Sequence, residues 1–149
     1  MMRTVLFVDD EGFFAKPYRM ELEKKFTVLY RDSAQDALAA LQEHAEIAAV
    51  VLDVMMPTPD GVAETATSYG LDTGLWLLRQ ITPRIAAQPL PVVILTNRSR
   101  SLVQDTITEI HLPAGLVEVK TKTETPSFFL PHVVETILER CHRPAAASH

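Results

Sequence analysis

Short, unbroken apolar runs recur along this chain, and each is followed by a segment whose apolar residues return at helical spacing. Runs without in-out alternation read as strands buried on both faces. They are Thr4 to Val8, Phe26 to Tyr30, Ile47 to Leu52, Pro91 to Leu95 and Leu116 to Val119. Between the first two, Lys16 to Lys25 is predicted helical, with Pro17 in the first turn and Tyr18, Leu22 and Phe26 recurring on one face. Ser33 as N-cap and Asp36 in the first turn begin a second helix, which carries Ala34, Ala37, Leu38 and Leu41 to about His44. A third is capped by Thr73, buries Leu75, Leu78 and Ile81, and ends about Pro83 to Ile85. The fourth, rich in Thr, is capped by Ser99 or Ser101 and runs through Leu102, Ile107 and Ile110. Thr125 and Pro126 are the cap and first position of a last helix whose core face is Phe128, Phe129, Val133, Val134, Ile137 and Leu138. This alternation of strand and helix requires right-handed crossovers and a parallel sheet between helical layers, the doubly wound α/β class.

The 149 residues, 47% of them hydrophobic and 22% charged, suffice for one well-filled core. We expect one domain over 1–141, with an extended loop at 54–72 and a C-terminal tail at 142–149. Fourteen Lys and Arg against nineteen Asp and Glu give a net charge of −5, which argues against a surface that grips nucleic acid or anionic lipid directly. The apolar runs are far shorter than the roughly 20 residues that span a bilayer. The N-terminus has no signal-peptide pattern, so the cytoplasm is the expected compartment. Cys141 is the single cysteine, which excludes an internal disulfide and a cysteine-based zinc site.

Two of the runs stop on acids: Asp9 and Asp10 end the first, and Asp53 ends the third. In an open parallel sheet, ligands bind outside the carboxyl ends of the strands, near the point where strand order reverses. Carboxylates gathered there repel one another unless a cation neutralises them. Without His or Cys in the set, the donors suit Mg²⁺, or Mn²⁺, in oxygen coordination. Thr96 ends the fourth run, and Lys120 or Lys122 follows the fifth. A carboxylate nucleophile with a metal, a hydroxyl and an ammonium group is what phosphoryl transfer to an aspartate requires.

Three segments then carry a family resemblance: Leu6-Phe7-Val8-Asp9-Asp10-Glu11, Val51-Leu52-Asp53-Val54-Met55-Met56-Pro57-Thr58-Pro59-Asp60-Gly61, and Pro91-Val92-Val93-Ile94-Leu95-Thr96. In that order, over Val5 to about Arg140, the chain resembles the receiver domain of two-component response regulators. The resemblance implies a flavodoxin-like sheet of strand order 2-1-3-4-5. It makes Asp53 the phosphoacceptor for a histidine kinase or histidine phosphotransfer protein. Asp10, Asp53 and the backbone carbonyl of Met55 would ligate Mg²⁺, with Asp9 acting mainly through metal-bound water. Thr96 would turn toward the phosphoryl oxygen and the lysine would pair with it. Such a domain is not an enzyme beyond its own phosphorylation and dephosphorylation, and it signals by binding a downstream protein or by homodimerising through its fourth and fifth units. Nine residues follow Arg140, so the expectation is a stand-alone regulator.

The chain also departs from the family pattern. Thr96 lies 43 residues after Asp53, more than is usual, and the excess falls before Leu75. Pro57 to Gly61 imitates the expected turn, while Leu71-Asp72-Thr73-Gly74-Leu75 looks like a second copy of the same helix start, which makes Val62 to Gly70 the expected insertion. It reads either as a tolerated surface extension or as a lid or docking element. Counting from Gly115 and back from Pro126 favours Lys122 as the site lysine; the apolar run ending at Val119 favours Lys120. Leu116, Val117 and Val119 leave no aromatic on that strand, and Asn97 stands where the family has a small residue. Two alternatives follow. One is a pseudo-receiver that binds without phosphorylation, given Thr123 where the family has Pro. The other is a phosphotransferase of the haloacid dehalogenase type, which normally needs a second acid where this chain has Met55.

Overall fold

In the computed structural model, which describes residues 2–113 and 115–141, strands β1 (Thr4–Val8), β2 (Thr27–Arg31), β3 (Ile47–Leu52), β4 (Val92–Thr96) and β5 (Val117–Thr121) form one sheet. Its order is β2-β1-β3-β4-β5, and every neighbouring pair is parallel. Helices α1 (Gly12–Glu23), α2 (Ala34–Glu43), α3 (Thr73–Ala87), α4 (Arg100–Ile110) and α5 (Leu130–Cys141) make the crossovers. This is the flavodoxin-like receiver architecture. Because successive strand residues point to opposite faces, each central strand feeds two cores. Leu6, Val8, Val50, Leu52 and Ile94 pack with α2, α3 and α4; Val5, Phe7, Val51, Val93 and Leu95 pack with α1 and α5. The edge strands β2 and β5 are only partly buried, which explains their polar residues at Tyr30, Arg31, Glu118 and Lys120.

Several element limits differ from those expected. Helix α1 begins at Gly12, so Pro17 lies inside it, and α3 continues through Pro83 to Ala87. The N–H groups that these prolines lack would have met the carbonyls of Phe13 and Arg79. Both residues face solvent, so water can satisfy what the helix does not. Asp72, not Thr73, holds the N-cap position of α3, and the Thr73 hydroxyl donates instead to the Met56 carbonyl at 2.6 Å. Ser99 precedes α4 without a side-chain cap bond, whereas Ser33 caps α2 as expected, accepting from the Asp36 N–H. Strand β5 extends two residues past its apolar run because Lys120 and Thr121 ladder with Leu95 and Thr96. Phe128 and Phe129 do not join the core face of α5. They lie in a 3₁₀ turn, Ser127–Phe129, and are 71% and 42% exposed. Three residues per turn put them out of phase with the 3.6-residue stripe that begins at Leu130.

The loop after β3 has its own structure. The Met56 N–H donates to the Gly70 carbonyl at 3.1 Å, closing the base of an excursion over residues 57–69. Inside it, a 3₁₀ turn at Glu64–Thr67 is tied down by the Thr58 hydroxyl, which donates to Glu64 at 2.7 Å and lies 2.5 Å from the Thr67 hydroxyl. The excursion is thus wider than Val62 to Gly70 alone, and α3 starts at the second of the two helix-start segments. A Cβ on Gly74 would lie 2.1 Å from the Asp53 carbonyl oxygen, so only glycine lets α3 begin against the end of β3. Gly61 has open space around it. The tail at 142–149 lies outside the described residues.

Candidate functional site

Residues Val8 and Leu52 are register partners at the carboxyl ends of β1 and β3, and the next residues continue the ladder. The Asp53 N–H donates to the Val8 carbonyl at 2.9 Å, and the Asp9 N–H to the Arg31 carbonyl at 3.2 Å. Both acids therefore emerge where strand order reverses, and both are 2% exposed. Asp10 and Glu11 follow at the surface. One carboxylate oxygen from each of Asp9, Asp10, Glu11 and Asp53 lies within 4.8 Å of the others. Glu11 is not among the ligands expected from the sequence, although it closes the first motif. Its place after Asp9-Asp10 was the available signal, and its N–H donates back to Asp9 Oδ1 at 2.9 Å.

The lysine ambiguity resolves in position. The Lys122 N–H donates to the Thr96 carbonyl at 2.9 Å, just past the last rung of the β4–β5 ladder. From there Lys122 Nζ reaches Asp9 Oδ2 at 2.9 Å and Asp53 Oδ2 at 3.1 Å. Lys120 pairs instead with Glu118 at 3.4 Å. The Tyr18 hydroxyl, donating to the Thr125 carbonyl at 2.7 Å, pins the segment that carries Lys122 against α1. Thr96 is fully buried, and its hydroxyl oxygen accepts the Arg98 N–H at 3.0 Å. Glu11, Phe14, Tyr18, Asn97 and Lys122 line the mouth. Met55, two residues beyond Asp53, is half-buried.

Electrostatics follow from this packing. Burial, with the charge of Asp9 added, raises the Asp53 carboxyl from 3.8 to about 6, while Lys122 and the Thr96 hydroxyl pull the other way. Partial burial beside Asp9 raises Asp10 as well. Burial opposes the charge on Lys122, yet its bonds to Asp9 and Asp53 prevail and hold its pKa above the usual lysine value. The site thus keeps a buried carboxylate, a fixed ammonium group and a buried hydroxyl on one crevice. Its four carboxylates offer only hard oxygen donors, a set that fits Mg²⁺ or Mn²⁺.

No family model matches the chain. The chemotaxis protein CheY of Halobacterium salinarum is 30% identical over 80 residues, which cover 52% of this chain and 65% of that relative's length. Solved structures agree over more of the chain. The receiver domain of a LuxO repressor protein from Vibrio parahaemolyticus superposes with a TM-score of 0.68 at 18% identity, covering 95% of this chain and 93% of that one. A CheY-like receiver domain from Methanospirillum hungatei gives 0.68 at 15%, covering 95% and 97%. The BeF3-activated DrrB receiver domain of Thermotoga maritima gives 0.67 at 24%, covering 94% and 100%. Among the described residues no helix is long and apolar enough to cross a membrane.

Proposed function

We propose that this chain, which has the receiver fold, works as a response-regulator receiver domain: it takes a phosphoryl group on Asp53 from a histidine kinase or histidine phosphotransfer protein and signals by protein–protein contact. The observation that carries this reading is the buried Asp53 carboxylate held 3.1 Å from Lys122 Nζ beside Asp9, with the buried Thr96 hydroxyl on the same crevice. With its pKa near 6, Asp53 is largely ionised at neutral pH and available as a nucleophile. A carboxylate oxygen attacks phosphorus, the bond from phosphorus to the donor's imidazole nitrogen breaks, and an acyl phosphate forms. Lys122, already charged, then pairs with a phosphoryl oxygen, and the Thr96 hydroxyl donates to another.

Asp10 and Asp53, with the Met55 carbonyl, are the proposed ligands of Mg²⁺ or Mn²⁺, with Asp9 in support and Glu11 close enough to join them. When bound, the metal screens the negative charge of the phosphoryl oxygens. The donor's docking surface is proposed on α1. Phe14 lines both the mouth and an adjoining groove made by Phe13, Pro17 and Met20, and Phe13 and Phe14 are 83% and 66% exposed. An exposed aromatic pair at the mouth suits the apolar face of a helical donor.

The test is intact-protein mass after treatment with acetyl phosphate and Mg²⁺. The wild type should gain one phosphoryl group and Asp53→Asn none. Equal labelling of the variant would remove Asp53 from its role. Absence of labelling in the wild type would favour a binding module, and steady turnover of phosphate esters a phosphotransferase.

A further inference from the structure

Arg98 makes two bonds with different parts of the molecule. Its backbone N–H donates to Thr96 Oγ1 at 3.0 Å, and its guanidinium Nε donates to Asp72 Oδ1 at 3.1 Å. With Oγ1 accepting from Arg98, the hydroxyl proton of Thr96 points away from that N–H, and the Thr96 carbonyl takes the N–H of Lys122, whose ammonium group lies 3.1 Å from Asp53. Thr96 is fully buried, so water cannot take the place of the Arg98 N–H.

Asp72 is fixed from the other side. Its N–H donates to the Thr67 carbonyl at 2.9 Å, and its own carbonyl accepts the N–H groups of Leu75 and Trp76 at 3.0 Å each. Thr67, also fully buried, meets Thr58 across the base of the excursion. Bonds therefore run without a gap from the extended loop through Asp72 and Arg98 to Thr96. The pair exists because α3 starts at the second of the two helix-start segments, the one that carries Asp72.

We propose that Asp72 and Arg98 are positioning residues for Thr96, and that through them the extended loop after β3 governs how the Thr96 hydroxyl is presented to Asp53. The proposal rests on the reading of Asp53 as phosphoacceptor, but one readout of its test does not. Amide hydrogen exchange of Arg98 would be measured by NMR on the unphosphorylated full chain for wild type, Asp72→Asn, Arg98→Met and the double variant. Since the Arg98 N–H survives every substitution, its protection reports how firmly the side chain anchors it. Loss of a half-buried pair should speed exchange about threefold in either single variant, with the double variant no faster than the singles. Rates of labelling by acetyl phosphate should shift together in the same three variants. Glu109→Gln, which breaks the exposed Arg79–Glu109 pair of α3 and α4, should leave Arg98 exchange at the wild-type rate. Unchanged exchange in Asp72→Asn, or effects that add in the double variant, would overturn the proposal. A wild type that takes no phosphoryl group would count against the acceptor role of Asp53, while exchange would still decide the part played by Asp72.

Discussion

Asp53 is the residue at which the site's energetics concentrate, since burial and Asp9 disfavour its anion while Lys122 favours it. Its folded pKa of about 6 stands above the ordinary 3.8, so the folded state binds the extra proton. The stability this gives is fully present below pH 3.8 and is lost as pH rises through 6. Asp53→Asn, which carries no such charge, should therefore be more stable than wild type at pH 7.5 in metal-free buffer, by on the order of 2 kcal/mol, and the gap should close at pH 4. Urea denaturation at the two pH values measures it; a gap of the same size at both would contradict the assigned electrostatics. Asp9, Asp10, Asp53 and Thr96 could be picked out from sequence because each stands directly after an apolar run. Lys122 could not be separated from Lys120, because the end of β5 is set by its ladder with β4 rather than by its own apolar residues. Glu11 is signalled only by its place after Asp9-Asp10, and Arg98 carries no local signal that sets it apart from ordinary surface charges.

Among the elements, α3 is the one whose placement the site cannot spare. Gly74 lies against the Asp53 backbone, and a methyl group there would collide with the carbonyl oxygen. Gly74→Ala should cost about 3 kcal/mol or displace the start of the helix, as overpacked sites do. Gly61→Ala, in open space at φ +81°, should cost about 1 kcal/mol for its left-handed backbone alone. Chemical denaturation of the two variants distinguishes them, and equal costs would refute the account of where α3 begins. Strands β1, β3 and β4 were readable because they are buried on both faces and so are apolar without interruption. Helix ends were less so. Pro17 and Pro83 read as boundaries, yet tertiary packing carries both helices past them at the cost of one backbone bond each. Phe128 and Phe129 read as core because large aromatics normally are, and only the 3₁₀ turn turns them outward.

For the molecule as a whole, alternation and chirality require a parallel, doubly wound sheet, its order β2-β1-β3-β4-β5 is the one the family resemblance implies, and the crevice at the switch point follows from that order. What composition and periodicity cannot supply is which surface a partner uses, since exposure of an apolar residue is decided by the assembled fold. Phe13 and Met20, 83% and 56% exposed on α1, should matter to a protein donor and not to a small one. The double substitution Phe13→Ser with Met20→Ser should slow transfer from a phosphohistidine-bearing protein about tenfold while labelling by acetyl phosphate continues at the wild-type rate. Equal slowing with both donors would place the defect in the site instead. The proposed function turns on whether Asp53 accepts a phosphoryl group, and peptide mass spectrometry of the protein treated with acetyl phosphate and Mg²⁺ tests it. The account predicts the added mass on Asp53 alone; modification of Asp9, Asp10 or any residue outside the crevice, or no modification, would contradict it.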